Sequence, residues 1–500
     1  MNVPANDPKT GLRPTRRALL LGGAGVLATP AILRAQMMGG MSGRGASVAT
    51  LVPGEPFRPL PLLQASQDKL SLRATSGTTH FSTGAASPTM GWNGGYLGPT
   101  IWMRRGTTVE ASVANGVEVP VSTHWHGLNV PSDADGGAHQ SIIPPGGTWQ
   151  ATLPVDQPAA TLWYHTHVHG RTAPDQYAGL AGAIVLEDEA MDALGLPSMH
   201  GVDDLVLVLQ DKRFDDEGRA IYDPGMMEIM HGFVGSHVLA NGQYAPIATV
   251  PSGPVRLRLI NAATSAEHRI AFDRPTVLIG VDQGLLPAPV AIETVTIAPG
   301  ERVEVIVDMS AGGSASPTVT ASTVGGAMGG MMMGGGATHP LLTMRADPER
   351  RGAGRVPDRL APALPDLPEP IATRRFVLDE NMGPMQHMRS LVGRGPVMTI
   401  NGEPYDPGRS NFTARRGTVE RWTIVSEGMA HPLHAHGVKF RIPDPRTPEE
   451  TGRKDVVTVA GTRDLLVSID AETRRGVPFM FHCHILEHED AGMMGQFLTA

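Results

Sequence analysis

Residues 299–307 read Pro299-Gly300-Glu301-Arg302-Val303-Glu304-Val305-Ile306-Val307, which is typical of a glycine turn followed by a β-strand. Two other segments share this pattern, Pro145-Gly146-Gly147-Thr148-Trp149-Gln150-Ala151-Thr152-Leu153 and Ala460-Gly461-Thr462-Arg463-Asp464-Leu465-Leu466-Val467-Ser468. Their glycines are spaced at intervals close to the length of an average domain. The pattern therefore suggests that one structural unit occurs three times.

A second recurring feature supports this interpretation. A glycine opens another strand-like segment at Gly106, Gly253 and Gly417, so both features appear three times in the same order. Between them, apolar and polar residues alternate at period two and Gly, Pro, Asn and Asp mark the turns, as in a β-sandwich. The sequence predicts an all-β protein with domains at 48–190, 200–345 and 371–500, and with a linker at 346–370 that is rich in Pro, Arg and Ala.

The composition narrows the function. The 500 residues include one cysteine, which excludes an internal disulfide, a Cys-rich zinc module and a cysteine-bound iron–sulfur cluster. The 25 methionines and 19 histidines beside that thiol favour copper, which accepts thioether, thiolate and imidazole ligands together. A net charge of −8 and the absence of a long basic run argue against nucleic acid as a partner.

The first 35 residues resemble a targeting segment. Arg16 and Arg17 precede an apolar stretch interrupted by glycines, and Ala35 follows as a small residue suited to cleavage. We expect a twin-arginine export signal over residues 1–35 and a periplasmic or otherwise exported mature protein. The apolar stretch is shorter than a membrane span, and we expect no span in the mature chain, which we take to be a monomer.

Four short motifs carry candidate metal ligands, and each contains His-x-His. On a β-strand, residues i and i+2 face the same side, so each motif presents two imidazoles together. Two motifs fall in the first repeat and two in the third, which predicts one centre between those domains. The eight paired histidines are His124, His126, His165, His167, His434, His436, His482 and His484.

The motif His482-Cys483-His484 predicts a second site. If both histidines face one side of a strand, the Cys483 sulfur faces the other side, so two metal sites share one tripeptide. A Cys, two His and a more distant Met form the ligand set of a blue electron-transfer copper. Zinc is the main alternative, but zinc has no use for a methionine or an electron path, and single His-x-His pairs are often surface or core residues. The histidines outside the motifs, His237 and His339 among them, are expected to be non-ligands.

From about residue 60 to the end, the sequence resembles the multicopper oxidases, with all four copper motifs in order. The resemblance implies three cupredoxin-like Greek-key β-sandwich domains and four copper ions: one type 1, one type 2 and a type 3 pair. It also implies that electrons taken from a reductant reduce O2 to water. By resemblance, His431, Cys483, His488 and Met493 bind the type 1 copper and His124 and His434 the type 2 copper; the type 3 pair takes His126, His165, His167, His436, His482 and His484.

Protons and substrate need further residues. Reduction of O2 consumes protons, and the resemblance implies that Asp135 and Glu489 act as catalytic acids beside the cage. Glu427 and Met429 precede His431 by four and two positions, so in an extended chain all three face one way. A carboxylate and a thioether there suit copper(I), as in copper-efflux oxidases. The Gly/Met stretch that includes Met328–Met333 is interpreted as a copper(I) collector.

Three alternatives stay open. A laccase-like phenol oxidase with incidental methionine-rich loops predicts turnover of small phenols or diamines without dependence on Met328–Met333, Glu427 or Met429. A non-catalytic cupredoxin scaffold, as in exported cell-division proteins, loses its copper ligands, whereas this chain has all twelve. A copper-storage protein binds the metal but consumes no O2. The leading prediction is an exported copper(I) oxidase that detoxifies copper.

Overall fold

The computed structural model describes residues 50–65, 68–325, 336–380 and 397–500. The predicted export signal and the stretch Met328–Met333 lie outside the described residues, as does the short methionine-rich segment Met382–Met388. In the described part, no helix is both long enough and apolar enough to cross a membrane.

The first group of strands forms two four-stranded sheets that face each other. Their orders are β1-β4-β8-β7 and β3-β2-β5-β6, and apolar residues such as Leu72, Val109 and Leu162 pack between them. Apolar residues face inward at alternate positions of β2, as the period-two pattern requires. The elements are β1 (Leu62–Gln64), β2 (Lys69–Thr79), β3 (Ser87–Trp92), β4 (Thr100–Arg104), β5 (Thr107–Asn115), β6 (Thr148–Val155), β7 (Ala160–His165), α1 (Thr172–Ala178), β8 (Ala181–Glu187) and α2 (Glu189–Asp192).

The second group contains a nine-stranded sheet and a three-stranded sheet. Aliphatic residues of β13 and β16, including Leu257, Val303 and Val305, form the centre of its core. The elements are β9 (Asp204–Phe214), β10 (Ala220–Ile221), α3 (Met226–His231), β11 (His237–Ala240), β12 (Ile247–Ser252), β13 (Pro254–Asn261), β14 (Ala266–Val281), β15 (Gly284–Ile297), β16 (Arg302–Asp308), β17 (Ser314–Ala315), β18 (Thr318–Thr323), β19 (Thr338–Pro340) and β20 (Thr343–Arg351).

The third group forms one eight-stranded sheet in which two long strands, β24 and β26, pair along most of their length. Its core includes Trp422, Phe481 and Cys483. The elements are β21 (Thr373–Asp379), β22 (Thr399–Ile400), β23 (Phe412–Ala414), β24 (Thr418–Ala435), β25 (Val438–Arg441), β26 (Val456–Ile469), β27 (Phe479–Cys483), α4 (Leu486–Asp490) and β28 (Met494–Thr499).

The all-β fold is confirmed, because strands dominate the described residues and the described helices are short. Each named strand pairs only with strands of its own group, while the domain limits stay a prediction. Strand β20 continues to Arg351 because its backbone pairs with β12, so the predicted linker 346–370 begins with strand residues. Gly461 does not separate two strands but lies within β26, where its φ of +73° bends the strand.

Candidate metal centre

Pairing between strands brings the four histidine motifs together. His124 forms a backbone bridge with His165 at the end of β7, and His434 of β24 lies opposite His482 of β27. Because each motif is anchored to a neighbouring strand, its side chains have little freedom of position. The structure brings all eight paired histidines into one buried cage of side chains from the first and third groups of strands.

The cage divides into three subsets. His124 and His434 face each other with their Nε2 atoms 3.4 Å apart. In a second subset, His482 Nε2 lies 3.3 Å from His167 Nε2 and 3.4 Å from His436 Nε2. The third subset is His126, His165 and His484, whose ring centroids lie 5.2 to 5.7 Å from one another.

The hydrogen-bond partners of the rings show which nitrogens carry lone pairs. His124 Nδ1 lies 2.9 Å from the carbonyl oxygen of Asp135, and His434 Nδ1 lies 2.8 Å from that of Asp455. A carbonyl oxygen can only accept, so both Nδ1 atoms carry the proton and both Nε2 atoms carry lone pairs. Two lone pairs in contact repel each other unless a cation lies between them. These two imidazoles therefore fit a metal ion.

The other subsets fit a metal for the same reason. The Nδ1 atom of His482 lies 3.0 Å from the Cys483 carbonyl oxygen, and that of His165 lies 2.8 Å from the Thr166 carbonyl oxygen. Their Nε2 atoms thus have lone pairs, and His165 Nε2 is buried without a hydrogen-bond partner in the described part of the chain. Both ring nitrogens of His484 are also buried without one. Unpaired buried nitrogen atoms are costly in a protein interior, whereas imidazole nitrogens suit copper.

Burial keeps several cage imidazoles in the neutral form that binds metal. It lowers the pKa of His124, His126 and His434 well below the ordinary value, and nearby histidines lower it further. Burial likewise lowers the pKa of His167 to about 4 and that of His484 to about 3. Since a protonated imidazole cannot bind a metal ion, these rings are ready to act as ligands at neutral pH.

A second group of donor atoms lies next to the cage. His431, Cys483 and His488 place one donor atom each within 4.8 Å of the others, and Cys483 Sγ lies 3.8 Å from His488 Nδ1. His488 is carried by α4, and its Nε2–H donates to the Met230 carbonyl oxygen of α3 at 3.2 Å. Met493 is fully buried in the core cluster that contains Cys483. Residues His482 and Cys483 therefore belong to different donor groups although they are adjacent in the chain.

Both predicted catalytic acids contact cage histidines. Asp135 Oδ2 lies 2.6 Å from His436 Nδ1, and burial raises the pKa of this carboxyl group well above its usual range. Glu489 lies 3.1 Å from His482 Nδ1 and 3.4 Å from His167 Nδ1. Burial raises the pKa of Glu489, but the two imidazoles outweigh that effect and lower it below its usual value. One acid thus favours holding a proton and the other favours releasing it.

Sequence reasoning missed an ion pair at the edge of the cage. Asp455 Oδ1 lies 3.3 Å from His126 Nε2, and the carboxylate accepts two hydrogen bonds of 2.5 and 2.8 Å from Arg302. Arg302 belongs to the second group of strands, so that group supports the cage without supplying a predicted ligand. No sequence motif links these two residues, because only the packing of the groups brings them together.

The structure places the two predicted substrate residues, Glu427 and Met429, in different surroundings. A register shift in β24 between Ser426 and His431 breaks the alternation, and Glu427 is exposed. The carboxylate beside His431 is that of Glu380, whose Oε1 lies 3.3 Å from His431 Nε2 and accepts a 3.1 Å hydrogen bond from the Met429 backbone. Glu380 was missed because it follows β21, outside every histidine motif. Its only sequence signal is the methionine-rich segment that comes directly after it.

Known proteins match this chain over most of its length. Two family models described as multicopper oxidase match residues 73–191 and 372–500. A laccase-like multicopper oxidase CueO from the lignin-degrading bacterium Ochrobactrum sp. is 37% identical in sequence, with a TM-score of 0.82 over 89% of this chain and 100% of that one. The chain belongs to the multicopper oxidase family. This multicopper oxidase also has a TM-score of 0.79 with McoA from Aquifex aeolicus, at 27% identity over 90% of this chain and 100% of that one.

Curated relatives carry a different name. The cell division protein FtsP of Photorhabdus laumondii is 34% identical to this multicopper oxidase over 458 residues, which is 88% of this chain and 92% of the relative. The FtsP of Escherichia coli is 36% identical over 454 residues, with the same coverage. The matches therefore include proteins named as multicopper oxidases and proteins named for cell division.

Proposed function

We propose that this multicopper oxidase is exported, holds four copper ions, and oxidises copper(I) while it reduces O2 to water. The observation that carries the proposal is the position of Cys483, which lies in the three-residue donor group while its neighbours His482 and His484 lie in the histidine cage. His431, Cys483, His488 and Met493 would hold the type 1 copper, and the cage would hold the other three. Copper bound there supplies one-electron redox chemistry and a place for O2 to react.

The protein's own contribution is to fix the ligands and to move protons. Hydrogen bonds from Nδ1 atoms to backbone carbonyl oxygens hold His124, His434 and His482 in the tautomer that presents Nε2. Asp135 and Glu489 are hydrogen-bonded or ion-paired to cage rings from two directions. With pKa values shifted in opposite directions, they suit the delivery of protons to a buried reaction that consumes them.

Copper(I) as the substrate is supported by the surroundings of His431. Glu380 Oε1 lies next to His431 Nε2 and accepts a hydrogen bond from the Met429 backbone, so a carboxylate and a methionine residue lie beside that ring. Soft and carboxylate donors together suit a cuprous ion. Met226 and Met227 are exposed on α3. The Met230 carbonyl oxygen of the same helix accepts a hydrogen bond from His488, a member of the Cys483 donor group.

Phenol oxidation is the second candidate. It is favoured by the likeness to the Ochrobactrum enzyme, which has oxidase activity towards lignin model compounds and lignosulfonate. The names of the curated relatives suggest a third candidate, a structural role in cell division. The complete ligand set argues against a purely structural role, because eight buried imidazoles without a metal would leave unpaired lone pairs in contact.

The test compares kcat/KM for copper(I) and for a small phenol on the copper-loaded protein. Glu380→Gln and Met429→Leu should each lower kcat/KM for copper(I) by about tenfold or more and leave the phenol within about twofold of wild type. Glu427→Gln is the matched control variant, because Glu427 also precedes His431 but its carboxylate is exposed. Equal losses on both substrates would favour the laccase-like alternative, and a wild-type protein without O2 uptake would contradict oxidase function.

A further inference from the structure

A separate pair of histidines lies in the second group of strands, away from the cage motifs. His237 begins β11 and His339 lies in β19, and their ring centroids are 4.9 Å apart with planes inclined at 36°. The ring of Tyr244 lies 5.4 Å from that of His237 and 6.0 Å from that of His339. No His-x-His motif contains either histidine, so the pair was not predicted from the sequence.

The hydrogen bonds of the pair leave one nitrogen of each ring available. His237 Nδ1 lies 2.9 Å from Ser236 Oγ, and His339 Nδ1 lies 3.3 Å from the Tyr244 hydroxyl. His339 Nε2 is buried and has no hydrogen-bond partner among the residues that the structure describes. Metal-binding histidines are usually oriented in this way, with one ring nitrogen hydrogen-bonded to the protein and the other facing the metal.

The spacing of the pair matches that of neighbouring histidines within the copper centre. The rings of His167 and His482, which share a subset of the cage, are 4.9 Å apart at 87°, and those of His431 and His488 are 5.2 Å apart at 56°. His237 and His339 are each only partly buried, which places the pair close to the surface although His339 Nε2 itself is covered. Burial and the nearby His339 also lower the pKa of His237, which favours the neutral form that binds metal.

We propose that His237 and His339 form a separate binding site for a borderline divalent metal ion, and that the site prefers copper(II) to the other first-row divalent ions. Two imidazole nitrogens with a phenol oxygen nearby are a donor set that copper(II) binds more tightly than the other first-row divalent ions. Tyr244 orients the His339 ring and lies close enough to both rings to border the ion. The site does not depend on oxidase activity, since none of its residues belongs to the cage or to the Cys483 group.

The test is a titration of the copper-loaded, full-length protein with Cu²⁺ after weakly bound metal has been removed by gel filtration. Calorimetry should detect one further equivalent, and electron paramagnetic resonance should show a new copper(II) signal with splitting from two nitrogens. His237→Gln and His339→Gln should each weaken this binding by about tenfold or more, and the double variant should abolish it. The blue absorption of the Cys483 site should persist in all variants, which shows that they fold.

His80→Gln provides the matched control, because His80 is exposed and its ring is hydrogen-bonded to the Gly84 carbonyl oxygen. This variant should bind the extra Cu²⁺ as the wild type does. The proposal is overturned if the wild type binds no further equivalent, or if the double variant binds it with unchanged affinity.

Discussion

Replacing Glu489 with glutamine measures what its buried carboxylate contributes to the reduction of O2. The amide oxygen of Gln can still accept the 2.7 Å hydrogen bond from Thr172. His482 Nδ1 also keeps its 3.0 Å hydrogen bond to the carbonyl oxygen of Cys483. His167 Nδ1, which lies 3.4 Å from the same Oε1 as Thr172, also stays next to an oxygen, so the contact that is lost is that of the charged Oε2 with His482 Nδ1 at 3.1 Å. A hydrogen bond to a charged group contributes about 1.5–3 kcal/mol, which corresponds to a rate loss of about 10- to 100-fold.

The assay separates the two halves of the reaction. In stopped-flow experiments, reduction of the blue site by a phenol should stay within about twofold of wild type, while reoxidation by O2 should slow by about 10- to 100-fold. Glu487→Gln is the control, because Glu487 lies buried on the same helix and accepts its 2.7 Å hydrogen bond from Tyr222. The reasoning is refuted if reoxidation is unchanged in Glu489→Gln, or if Glu487→Gln slows it equally.

Three further predictions concern the ligands and the stability. An alanine Cβ at Gly300 would lie 2.8 Å from the His484 ring, so Gly300→Ala should displace this ligand and lower the copper content. Gly461 has a similar positive φ but open space around it, so Gly461→Ala should leave the copper content unchanged. Burial raises the pKa of Glu304, but Arg256 and Arg258 outweigh it and lower that pKa to about 2. The ion pairs therefore stabilise the fold above pH ~4.5 by about 3 kcal/mol, and this contribution is lost as the pH falls towards 2. Guanidinium unfolding should show the stability gap between wild type and Glu304→Gln narrowing over that range, and a constant gap would contradict it. Cys483→Ser should abolish the blue absorption and oxidase turnover while circular dichroism of the β-sheets stays unchanged.

The alternation of residues along strands made much of the fold predictable. The period-two pattern and the repeated glycine turns indicated β-sheets, and the His-x-His motifs indicated which side chains share a face. Both are local properties, since a strand fixes the direction of each side chain relative to its neighbours. For that reason the eight paired histidines could be named before their relative positions in space were seen.

Residues that reach the centre through packing alone could not be predicted in this way. Arg302 and Asp455 come from different groups of strands, and their ion pair forms only when those groups meet. Glu380 follows β21 and lies beside His431, while β24 changes register between Ser426 and His431 and Glu427 is exposed there. A local pattern contains no information on a β-bulge of this kind or on contacts between sheets.

Under the proposed function, both donor groups hold copper and act together on O2. The most direct measurement is the amount of O2 consumed per copper(I) oxidised by the copper-loaded protein, with hydrogen peroxide measured in parallel. We predict that four copper(I) ions are oxidised for each O2, with no peroxide formed and with four copper ions bound per chain. A ratio of two copper(I) to one O2 with accumulation of peroxide would contradict the account, and so would a protein that binds copper but consumes no O2.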